Sequence, residues 1–95
     1  MAELGTIMKQ PREILDFDVD YTTTLAGRTS LLTTATSESA PAGLTLTTTV
    51  YPETKRVKTV FSGGTDGLTY KITVLTNTDD GLKYEDEVTV IVQEV

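Results

Sequence analysis

The chain has 95 residues, a formal net charge of −6, and neither cysteine nor histidine. This length supports one small domain, and without Cys or His there are no disulfides and no thiolate or imidazole metal sites. The acidic balance speaks against duplex nucleic acid, which needs a basic footprint, and against an anionic membrane surface.

Residues Met1–Pro11 show little periodicity and end at a proline that resists joining a sheet. The reading is an extended N-terminal arm over residues 1–12, with one domain over residues 13–95. Met1–Arg12 has neither the basic start nor the apolar centre of a secretory signal. From Ile14 to Tyr21, Asp16, Asp18 and Asp20 alternate with Leu15, Phe17, Val19 and Tyr21, which predicts a first strand with one wet acidic face. Leu25-Ala26-Gly27 reads as a turn. Arg28–Thr36 reads as a second strand with Leu31 and Ala35 on one side, followed by a polar loop over Ser37–Gly43. Leu44–Tyr51 is a third strand, with Leu44, Leu46 and Val50 inward and Pro52 as its stop.

Arg56–Phe61 is a fourth strand of ambiguous register, because Val57 and Phe61 fall opposite Val60. Ser62–Gly67 is turn chemistry, with Gly63, Gly64 and Gly67 supplying positive φ. Leu68, Tyr70, Ile72 and Val74 then alternate with polar residues, Asp80-Gly81 closes a hairpin, and Val88, Val90 and Val92 alternate on the returning strand. Threonine makes up about a fifth of the chain and interleaves with Leu, Val and Ile, as on the solvent faces of strands.

Six or seven short strands, frequent turns and no helical period predict an all-β, immunoglobulin-like antiparallel sandwich. Tyr70 follows a glycine turn at the head of the penultimate strand, the place of a tyrosine whose hydroxyl bonds upstream backbone in such folds.

Chemistry has little material here. Asp16-x-Asp18-x-Asp20 opens like a calcium loop, but Tyr21 and Gly27 stand where that loop needs Gly and Glu. Asp79, Asp80 and Glu85-Asp86-Glu87 could gather across the last hairpin, yet exposed acidic turns are commonplace. No catalytic residue, metal ligand or cofactor site is assigned, and the chain reads as a non-enzyme. Lys55, Arg56 and Lys58 form one basic cluster, read as edge-strand charges that discourage pairing or as a contact for an acidic neighbour. A carbohydrate-binding module would need exposed aromatics, for which Tyr21, Tyr51 and Tyr84 are the candidates.

Two stretches carry a resemblance. The first runs from Lys9-Gln10-Pro11 through Leu15-Asp16-Phe17 to Tyr21, followed by Leu25-Ala26-Gly27. The second comprises Pro41-Ala42-Gly43-Leu44, Ser62-Gly63-Gly64 and Gly67 with Tyr70. Over roughly residues 9–93 the chain resembles a family of small tailed-bacteriophage virion proteins of the fibre–tail adaptor or head–tail region kind. Members often have Trp near the first turn, where this chain has Thr22-Thr23-Thr24.

The resemblance implies a multicopy structural protein of the virion, an adaptor at the head–tail or tail–fibre junction, made in the bacterial host cytoplasm and without enzymatic activity. Its implied partners are other virion proteins (capsid, portal or connector, tail or fibre) and copies of itself, not nucleic acid or membrane. The adaptor would dock through the arm residues Ile7, Met8, Lys9, Gln10 and Pro11 and through sheet edges. Capsid decoration is the alternative role.

Overall fold

Seven strands in two layers make up the computed structural model, which describes residues 2–95, with side chains from Leu4 onward. The strands are β1 (Ala2–Lys9), β2 (Leu15–Asp20), β3 (Leu32–Ala40), β4 (Leu44–Tyr51), β5 (Arg56–Gly63), β6 (Thr69–Thr78) and β7 (Lys83–Val92). One sheet has the order β1-β7-β6-β3 and the other β2-β5-β4. This is the strand arrangement of an immunoglobulin-like sandwich, its four-stranded layer extended by the N-terminal strand. Every pair is antiparallel except β1 with β7, which is parallel.

Period-2 alternation explains the core. Val19 on β2, Val57 and Phe61 on β5, Ile72 and Val74 on β6, and Val88, Val90 and Val92 on β7 all turn inward and are buried. Each fully buried aliphatic or aromatic side chain stabilises the fold by about 1.5–3 kcal/mol relative to exposure. Thr59, between Val57 and Phe61, is also buried, which settles the register of β5 with Val60 facing out. Its hydroxyl is satisfied by a chain of Ser37 Oγ to Thr48 Oγ1 at 2.6 Å and Thr48 Oγ1 to Thr59 Oγ1 at 3.1 Å. That chain stitches β3 of one sheet to β4 of the other and closes this flank of the sandwich.

Tyr70, the second residue of β6, is 1 % exposed, and its hydroxyl accepts a hydrogen bond from the Thr65 N–H at 2.9 Å. The glycine turn is shaped around that ring. Gly64 has φ +95, and a Cβ there would lie 2.8 Å from Val92 Cγ2 and 3.1 Å from Leu44 Cδ2.

Three expectations need correction. The N-terminal segment is not a detached arm: Ala2–Lys9 is the edge strand of the first sheet, and only Met1 lies outside the described residues. Hydrogen bonding along β7 outweighs the weak periodicity of the segment, because an extended chain gains a ladder without needing an alternating pattern. The second predicted strand is displaced from Arg28–Thr36 to Leu32–Ala40, and the polar loop shrinks accordingly. Residues 21–31 must carry the chain from one sheet to the other, and they do so in turns that bury Leu25 completely and leave Leu31 exposed. Lastly, Leu68 sits outside β6 and is 44 % exposed, since the turn bond from its N–H to the Thr65 oxygen precedes the strand.

Candidate functional site

A sandwich of this topology has four strand edges, and sequence decides which are guarded. The β2 edge carries Asp16, Asp18 and Asp20, and the β3 edge carries Glu38. The β4 edge is held against β3 by the Ser37–Thr48 bond and is flanked by Pro41 and Pro52. The edge of β1 shares with β4 a stretch free of charge and proline, and differs in opening onto a groove. From Leu4 to Met8 it bears no charge and no proline.

The backbone of β1 shows which of its groups are turned outward. The Gln93 N–H donates to the Lys9 carbonyl at 2.9 Å, so the peptide groups of Lys9 face β7. Alternation along a strand then aims those of Ile7 at β7 and those of Thr6 and Met8 away from the sheet. A register shift beside Gly5 bends the strand at its other end. Next to this edge the two layers part, leaving a groove of about 240 Å³ lined by residues that include Leu4, Ile7, Phe17, Asp18 and Val88. Phe17 lies tilted on Phe61, with ring centres 5.9 Å apart, which fixes the groove floor to the core.

The arm residues expected to make contacts are divided by this geometry. Met8 is 60 % exposed on the outer face and Ile7 is half-buried toward the groove. Lys9 turns inward instead, at 1 % exposure, and donates to the carbonyls of Gln10 at 2.8 Å, Pro11 at 3.0 Å and Gly63 at 2.7 Å. Gln10 and Pro11 form the turn into β2, in which the Gln10 N–H donates to Glu13 Oε1 at 2.7 Å and the Glu13 N–H to the Gln10 oxygen at 3.0 Å.

The basic cluster lies on or beside a central strand, not an edge, because β5 sits between β2 and β4. Its acidic neighbour belongs to the same chain: Arg56 meets Asp18 at 2.6 Å and Lys58 meets Asp16 at 3.6 Å, while Arg56 also lies over the Tyr51 ring at 5.3 Å. Lys55 takes the left-handed conformation that ends the short 3-10 turn Pro52–Thr54, and its carbonyl accepts from the Tyr21 N–H. Gly63, Gly67 and Gly81 adopt the positive φ that their turns require.

Of the three tyrosines considered for sugar stacking, Tyr21 is buried. It donates to Asp86 Oδ2 at 2.5 Å, approaches Thr76 Oγ1 at 3.1 Å, and packs against Tyr84 with ring centres 5.2 Å apart. Burial, reinforced by the Asp86 carboxylate, pushes the Tyr21 phenol well above its usual range. The acidic turn is also internally satisfied. Asp80 takes hydrogen bonds from Ser30 and Thr78, which hold its carboxyl below the usual carboxylate value, and Asp79 accepts from the Leu31 N–H. Asp20 is likewise lowered, by the hydroxyl and then the N–H of Thr22. Among the described residues no three His, Cys, Asp or Glu side chains are placed to share a metal ion.

Sequence reasoning missed the groove formed by Leu4, Phe17 and Val88. Its only signal was Phe17 among three aspartates, which becomes meaningful once β1 and β2 are known to be facing edges. Residues 9–93 match the sequence profile of the family described as podophage GP4 fiber-tail adaptor protein gp77. The chain belongs to that family. The match takes in β2 to β7 whole and begins at Lys9, the last residue of β1. A search of curated proteins gives no match. The family name describes a phage structural adaptor, and the seven-stranded sandwich is a suitable body for one.

Proposed function

We infer that this protein is a multicopy, non-enzymatic component of a podophage virion that joins fibres to the tail, docking on other virion proteins through the free edge of β1. The observation that carries this is the family match across residues 9–93, nearly the whole sandwich. The geometry is consistent with it: among the described residues, buried polar side chains are consumed by internal hydrogen bonds, and what they offer outward is edges and faces. Edge docking uses main-chain groups and needs no deep pocket, and repetition around a symmetric particle turns weak contacts into a firm attachment. Ile7, Met8, Gln10 and Pro11 lie on or just beyond that edge, whereas Lys9 acts from inside.

The test is a phage lacking this protein. Particles with complete tails but no fibres, restored when the wild-type protein is supplied, are expected. Fibres attached normally in its absence overturn the proposal. Copy number in purified wild-type particles separates the tail from the shell, because a ring of adaptors and a capsid-lattice protein differ widely in stoichiometry.

A further inference from the structure

Building on that adaptor reading, we propose that the β1 edge takes an extended strand from another virion protein, an aliphatic side chain every second residue and net positive charge, which adds to β1 and fills the groove beside Phe17. Three observations converge on this edge. The outward peptide groups of Thr6 and Met8 supply an unpaired ladder, as the Lys9–Gln93 bond fixes their direction. From Leu4 to Met8 that strand has neither a charge nor a proline, unlike the β2 and β3 edges with their carboxylates. Beside it lies a cavity of about 240 Å³, of a size for one or two aliphatic side chains projecting from an added strand.

Charge then selects the occupant. The groove lining includes no cationic side chain, and although Asp18 and Asp16 beside it are met by Arg56 and Lys58, the chain as a whole carries −6, which favours a cationic occupant. A second copy would bring its own −6 to the contact, so edge-to-edge pairing of this chain with itself works against like charge. A basic strand instead gains attraction from the net negative charge of the chain. Lys9 keeps the site in shape: its ammonium pins the end of β1 to Gly63, so the edge is presented rigidly and loses little freedom on pairing.

Two measurements on phage particles test this. Thr6→Pro removes one outward N–H and leaves the bonds to β7 intact, as edge strands tolerate. Slow amide exchange of Gln93 verifies that β1 is still seated, and if it is not, Met8→Pro serves in the same way. Incorporation into particles at least tenfold below wild type is expected; wild-type incorporation of a seated variant overturns the proposal. In the second measurement Leu4→Cys, unique in a chain without cysteine, carries a benzophenone and is irradiated in assembled particles, with Thr47→Cys as the distant control. An adduct to a basic, extended segment of a different protein is expected from residue 4 and not from residue 47. A covalent dimer of this chain, or no adduct at residue 4, overturns it. Absence of the wild-type protein from particles refutes the adaptor reading itself, whereas its presence without that adduct refutes only the strand addition.

Discussion

A buried ammonium is tolerated only if its N–H groups find acceptors, and Lys9 has three carbonyl oxygens for three protons. Two belong to the turn that follows it, and the third to Gly63 on the opposite layer, so one side chain fixes both the end of β1 and the start of the glycine corner. Lys9→Met preserves the stem and removes the donors, leaving three part-buried carbonyls without that partner. A net loss of about 2 kcal/mol is expected: hydrogen bonds to charged groups contribute about 1.5–3 kcal/mol each, and much of the sum is offset because Met does not bear the desolvation cost of a buried ammonium. Urea unfolding measures it, and an unchanged midpoint would show that the ammonium is dispensable. At the same corner, Tyr70→Phe deprives the Thr65 N–H of its acceptor and is expected to cost about 1 kcal/mol. Tyr51→Phe, at a tyrosine 37 % exposed, is the control expected to stay within a few tenths. Equal effects from the two would refute the corner's contribution.

At the level of the strand, the most consequential element is the one the sequence disguised. β2, β4, β6 and β7 were legible because apolar and polar residues alternate along them and glycines or prolines punctuate their ends. β1 was not, since its edge position buries little. Leu4, Thr6 and Met8 are exposed, Ile7 is half-buried, and the strand is defined by backbone bonds to β7 that leave no periodic trace. Lys9 was misread for a related reason: a lysine near a terminus is nearly always solvated, and its inward turn depends on Gly63, which lies 54 residues away. β3 slid by four residues because the crossing between sheets, not propensity, sets where pairing with β6 begins. The groove itself is a property of two edges and could not be read along either one. Because β1 is part of the body, deleting residues 2–9 does more than remove a contact surface. It takes away Lys9 and uncovers β7, so the truncated protein is expected to melt at a lower temperature and to aggregate. The Lys9 term alone, about 2 kcal/mol, corresponds to roughly 8–16 °C for a domain of this size. Calorimetry with light scattering decides this, and a truncated chain that melts like wild type would restore the picture of a dispensable arm.

Across the whole molecule, the two layers are joined by apolar packing and, near one end, by a polar tie. Tyr21 follows β2 in the three-stranded sheet, while Thr76 and Asp86, which meet its hydroxyl, sit on β6 and β7 of the other. The tie works only while the phenol keeps its proton to donate. In the unfolded chain that proton leaves near pH 10, whereas in the fold burial and the Asp86 carboxylate hold it to higher pH. The unfolded state therefore releases its proton first. The contribution of Tyr21 is complete below about pH 10 and declines as the pH rises beyond it. Tyr21→Phe cannot titrate, but it leaves Asp86 and Thr76 without their shared partner, so it starts less stable at neutral pH. The unfolding free energies of wild type and Tyr21→Phe, measured in urea from pH 8 to pH 11, are expected to run parallel up to about pH 10. Above that point they should converge at up to about 1.4 kcal/mol per pH unit, the limit for a single proton. Differencing against the variant removes the titration of the remaining tyrosines and lysines, which both proteins share. Curves that stay parallel to pH 11 would mean that the phenol loses its proton as readily in the fold as out of it, and that the layers are held by apolar packing alone at that end.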